Sequence, residues 1–68
     1  MITLKNYIKQ LETILSKLYS EQEAVSITEF FVCEVLDMNR NEFLLKRNEL
    51  LSEQNFARLE KGRLRLEN

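Results

Sequence analysis

The sequence predicts an all-α fold, a small bundle of four to five helices. Three observations carry this. The 68 residues include no Pro and a single Gly, so the two strongest helix breakers are nearly absent. No stretch alternates apolar and polar residues for long, as a half-buried strand would. Apolar residues recur instead at spacings of three and four, the period of a helix with one buried face.

The first helix is expected over about residues 3–19. Leu4, Ile8, Leu11, Leu15 and Leu18 form a continuous stripe there, widened by Tyr7 and Ile14. The second begins at Ser20, with Glu23 three residues on, the spacing of a reciprocal cap. Ser26 offers an alternative start, which would leave 20–25 as a separate turn. Ile27, Phe30, Phe31, Val32, Val35 and Leu36 lie on nearly every side of this segment. It should therefore be the central helix, with Phe30 and Phe31 both in the core.

Asn39 and Glu42 repeat the capping spacing and open a short helix to about Lys46. The stretch KRNELL reads as a connection anchored by Leu50 and Leu51. Ser52 then caps the last helix, which starts near Glu53 and carries Phe56, Leu59 and Leu66 as its apolar marks. Gly62 sits inside it, at a cost of ~1 kcal/mol relative to Ala. No linker, repeat or low-complexity tract divides the chain, so residues 1–68 form a single helical domain. The last helix is still in register where the sequence stops, as in a domain excised from a longer protein.

Composition excludes several kinds of chemistry. There is no His and one Cys, so a Cys–His nucleophile pair and a Cys/His zinc site are both impossible within these residues. Cys33, alone on an apolar helix, reads as a small core residue. One Gly cannot build a phosphate-cradling loop or the Gly-rich cofactor turn of a doubly wound sheet. No run approaches the roughly 18 apolar residues of a membrane span. MITLKNYIKQ lacks the apolar core of a signal peptide, so the expected location is cytoplasmic.

Glu29 with Glu34, and Glu21 with Glu23, are the carboxylate pairs available for acid–base work, but a thin bundle has no dry pocket to shift their pKa values. They read as solvated surface. The formal net charge is −1. Residues 1–38 hold three Lys against six acidic residues, and residues 39–68 hold seven Lys or Arg against five. The basic residues gather in the last helix as Arg58, Lys61, Arg63 and Arg65. Arg58, Lys61 and Arg65 share one face by their spacing. The cluster reads as a solvated helix face with cations favoured toward its C-terminus, or as a docking edge for an acidic protein surface or RNA. In the second reading these three are the candidate partner-binding residues. Glu60 and Glu67 dilute the group, and no aromatic residue interleaves with it, which argues against direct nucleic-acid binding.

The run TEFFVCEVLDMNRNEFLLKRNELLSEQNFARLEKGRLRLEN resembles the N-terminal helical domain of the release factor glutamine methyltransferases, the HemK/PrmC type. In that family an acidic residue and several aliphatics lead into Val-Leu-Gly. An apolar residue, Ser-Arg, an acidic residue and more aliphatics follow, and later Leu-Ser. Here Glu29, Phe30, Phe31 and Val32, then Val35 and Leu36, match the first part. Met38, Asn39, Arg40, Glu42, Phe43 and Leu44 match the second, and Leu51-Ser52-Glu53 opens the last helix. The spacing holds without gaps from Glu29 to about Leu59, while Met1 to Lys17 agree in helical character only. Asp37 stands where Gly is usual, so that turn is expected to be less tight.

The resemblance implies a substrate-engaging domain. In the family, a following α/β domain binds S-adenosylmethionine and methylates the Gln of the Gly-Gly-Gln loop of peptide chain release factors. The implied cofactor therefore belongs to the rest of the parent enzyme. The family's Asn-Pro-Pro-Tyr motif is absent, and no catalytic, cofactor or metal residue carries over to this chain. The implied partner is a peptide chain release factor, with no membrane contact. The rival reading is a free-standing helical interaction or dimerisation module. A DNA-binding regulator fits less well, because the most basic helix also carries Glu60 and Glu67.

Overall fold

The computed structural model describes residues 2–67, and for Glu67 the backbone alone. Four helices follow one another: α1 (Leu4–Leu15), α2 (Glu21–Leu36), α3 (Arg40–Leu45) and α4 (Glu53–Glu67). The fold is all-α, and α2 is its hub, packing against α1, α3 and α4.

Helix α1 is shorter than its stripe suggests. Thr3 caps it, accepting the Asn6 N–H through its hydroxyl. Two further free N–H groups of the first turn are met from far along the chain. Leu4 donates to the Glu49 carbonyl at 2.9 Å and Lys5 to that of Arg47 at 2.8 Å. These are groups that a helix cannot satisfy internally. Leu51 N–H returns to the Ile2 carbonyl at 2.9 Å, so the connection between α3 and α4 is stitched to the chain's start.

The other end of α1 closes at Leu15, four residues before the expected stop. The Ser16 hydroxyl donates to the Thr13 carbonyl at 2.8 Å, and Leu18 N–H to that of Leu15 at 2.9 Å. These i-to-i−3 bonds tighten the turn and end the α-helical ladder. Leu18 consequently lies past the buried stripe and is 65% exposed.

Helix α2 is one uninterrupted helix from Ser20, and Ser26 does not restart it. The cap is reciprocal: Glu23 N–H donates to the Ser20 hydroxyl, and Ser20 N–H to the Glu23 carboxylate, both at 3.2 Å. The count is therefore four helices. Only the stripe Ala24, Thr28, Phe31 and Val32 is fully buried. Phe30 is 68% exposed, contrary to its expected place in the core. Neighbouring helix positions differ by about 100°, and three partners cannot surround a helix, so Phe30 is left on the uncovered side. Thr28 is completely buried, and its hydroxyl has no hydrogen-bond partner among the described residues.

Asp37 ends α2 in the left-handed conformation, φ 54° and ψ 54°. Its N–H and that of Met38 both reach the Cys33 carbonyl, closing the helix much as a Gly would. The turn is thus closed by a left-handed residue, at the steric cost of a side chain at positive φ. Left-handed geometry costs a non-Gly residue about 1–2 kcal/mol, less for Asp, and Gly gives part of this back through unfolded-chain entropy. Asp37→Gly should therefore stabilise the domain by about 0.5–1 kcal/mol, read as a higher urea midpoint with unchanged slope. A midpoint that falls would show that the Asp side chain supplies something the backbone does not.

Helix α3 has the expected cap, with Glu42 N–H on the Asn39 side chain at 2.9 Å and Asn39 N–H on Glu42 at 3.1 Å. After a turn the chain pairs at Leu50 with Thr3 near its start, and there successive side chains point to opposite sides. Leu51 is buried, whereas Leu50, expected as a second anchor, is 63% exposed. Ser52 caps α4, accepting the Asn55 N–H at 3.1 Å. Leu59 is fully buried, Leu66 packs against the core, and Phe56 meets the Tyr7 ring edge-on at 5.8 Å between centroids.

Gly62 gains its explanation from packing. A Cβ built on it would sit 2.7 Å from Cε1 of Phe31 and 3.5 Å from Cγ2 of Val35. The absent side chain lets α4 lie directly on α2, which offsets the helix propensity lost at that position.

Candidate functional site

The outer side of α4 carries the candidate residues. Arg58, Lys61 and Arg65 are all exposed, with exposed Ala57 and Leu64 beside them. Their tasks differ. Arg58 donates from Nη2 to the Val35 carbonyl at 2.5 Å. That carbonyl belongs to the last turn of α2, where no intrahelical donor remains, and the cation also meets the negative end of the helix dipole. Arg58 is therefore a tertiary cap that ties α4 to α2. Lys61 and Arg65 have no ion-pair partner among the described residues.

Arg63 faces another way. It is partly buried and grips Glu60 Oε2 with Nη2 at 2.6 Å and Nε at 3.0 Å. The pair lines a cleft of about 80 Å³ with Tyr7, Gln10, Leu11 and Ile14, joining α4 to α1. Burial, then the Glu60 carboxylate, pushes the Tyr7 hydroxyl pKa up to about 12. Glu60 is thus consumed by Arg63 and does not neutralise the outer row. The role given to Glu67 in the sequence rests on a side chain outside the described residues.

The acidic pairs hold no shared pocket. Glu23 is spent on the α2 cap, and Glu29 lies 3.9 Å from Arg40 across exposed surface. Cys33 is partly buried against the core, where burial and the nearby Glu29, Glu34 and Glu42 push its thiol pKa up, away from nucleophilic chemistry. Among the described residues no group of three or more His, Cys, Asp or Glu is placed to hold a metal ion. No helix of the described residues is long and apolar enough to cross a membrane. A mainly apolar opening of about 400 Å³ lies between Ile2, Leu51, Glu53 and Phe56.

The model of one protein family, the PrmC N-terminal domain, matches residues 6–68. The chain belongs to the PrmC N-terminal domain family. No curated protein and no solved structure matches it. The family is the N-terminal domain of PrmC-type methyltransferases, and the match covers most of α1, which sequence motifs had covered only by helical character. The S-adenosylmethionine implied for such an enzyme needs a Gly-rich backbone cradle. In this domain the one Gly is in mid-helix with the Phe31 ring against it, so these residues do not fit that cofactor.

Arg58 is the residue whose job sequence reasoning missed. Its charge and spacing match those of Lys61 and Arg65. Only the crossing of α4 over the end of α2 separates a cap from two uncommitted cations.

Proposed function

We propose that this domain engages the substrate for a cytoplasmic methyltransferase. The parent enzyme moves the methyl group of S-adenosylmethionine to the side-chain amide of the Gln in the Gly-Gly-Gln loop of a peptide chain release factor. The family match over residues 6–68 carries this reading. The domain's own chemistry supports the division of labour. It offers a rigid helical surface and no cofactor cradle, so methyl transfer falls to the rest of the parent and capture of the protein substrate to this part.

The test is methyl transfer by the full-length protein. Purified release factor, incubated with it and methyl-labelled S-adenosylmethionine, should gain one methyl group on the Gln of the Gly-Gly-Gln peptide, located by mass spectrometry. A release factor with that Gln changed to Ala should stay unlabelled. Label elsewhere, or none, would contradict the proposed substrate.

A further inference from the structure

We infer that one strip of α4 – Leu64 flanked by Lys61 and Arg65 – docks an acidic protein surface that presents an apolar side chain. The inference rests on the proposed function for the identity of its partner. Ala57, Lys61 and Leu64 follow at spacings of four and three, on the side of the helix turned away from buried Leu59, with Arg65 beside them. All four are exposed, and Leu64 is 61% so. The strip runs for about 12 Å along the axis and holds no acidic residue.

Its sign opposes that of the chain, which carries −1 overall. Lys61 and Arg65 stand one turn apart, a like-charge pair that disfavours the isolated helix. The dipole accounts for Arg65 in the last turn, but its effect fades before Lys61. The strip is also held still. The Arg58 bond to Val35 and the seat of Gly62 on Phe31 fix α4 against α2, so the two cations and the leucine keep their spacing. A rigid element of this kind presents a defined contact.

The partner is a protein rather than RNA. Two uncommitted cations neutralise too few phosphates for useful affinity, the strip has no aromatic residue to stack bases, and the acidic excess over residues 1–38 opposes a polyanion. A carboxylate-bearing surface meets both cations, and an apolar residue upon it covers Leu64.

The experiment measures binding of immobilised release factor to the full-length protein by interferometry, at about 0.1 M and about 1 M salt. Across that range the screening length falls from ~10 Å to ~3 Å. The double variant K61E/R65E should bind about ten-fold more weakly at low salt, chiefly through slower association, with the difference largely gone at high salt. Leu64→Ser should weaken binding about ten-fold at both concentrations, since an apolar contact is not screened. Unchanged thermal melts would confirm that each variant is folded. Wild-type affinity in both variants overturns the docking strip, whether or not methyl transfer is observed. Binding that depends on the strip without methyl transfer supports it and fails the proposed function instead. Tighter binding to a single-stranded RNA than to release factor, lost in K61E/R65E, overturns the protein partner.

Discussion

Phe31→Ala is expected to cost about 3–5 kcal/mol, the range for truncating a buried Phe. Phe31 is the side chain on which two helices meet. It is 8% exposed, lies on the one stripe of α2 that is covered, and fills the space left open by Gly62 on α4. Removing the ring leaves a hole bounded by Gly62, which has no side chain to relax into it. A domain of this length holds roughly 3–10 kcal/mol in total, so the loss should unfold much of the population at 25 °C. Phe30→Ala is the natural comparison, because that ring is mostly in water and its loss should cost no more than about 1 kcal/mol. Urea midpoints of the two variants test the pair. Equal midpoints would mean that the assignment of core and surface on α2 is wrong.

Gly62→Leu is expected to be the second most damaging change, through excess volume rather than a hole. Even a methyl at this position would stand 2.7 Å from Phe31 Cε1, closer than carbon atoms approach one another, so a four-carbon side chain must push α4 off α2. Overpacking of this kind costs about 1–3 kcal/mol or more. Displacing α4 would also lengthen the Arg58 bond to Val35. Gly62→Ala is the instructive milder variant. It gains ~1 kcal/mol of helix propensity and must still shift a buried ring, so the net change should be small or destabilising. In a Phe31→Leu background the shorter side chain removes the ring, and Gly62→Ala should then become stabilising. Such a change of sign is the coupling expected of residues in contact. Additive effects would place the cost of Gly62 in the helix backbone alone.

The parts of this fold that were legible in the sequence are those decided within three or four residues. The Ser20–Glu23 and Asn39–Glu42 caps and the Ser52 cap are local chemistry, and each forms as its spacing suggests. The all-α class and the order of helices follow from the same local periodicity. The misses, Leu18 apart, concern a second element. Phe30 and Phe31 are equivalent by composition, and only the placement of α1, α3 and α4 around α2 decides which is wet. Leu50 and Leu51 differ only by the pairing of their segment with the chain's start. Leu18 continues a helical stripe that the Ser16 turn has already ended. The candidate site divides in the same way. The basic row was visible as charge at helical spacing, but the commitment of Arg58 to the Val35 carbonyl depends on a crossing 23 residues distant in sequence.

The claim that this domain captures the protein substrate is tested most directly by hydrogen exchange on the full-length protein, with and without a saturating release factor. Amides in α4, around Lys61 to Arg65, should exchange more slowly in the complex, while those of the buried α1–α2 contact should not change. If release factor is methylated and exchange throughout residues 4–67 is the same in both samples, the domain does not touch the substrate, and a substrate-engaging role is contradicted.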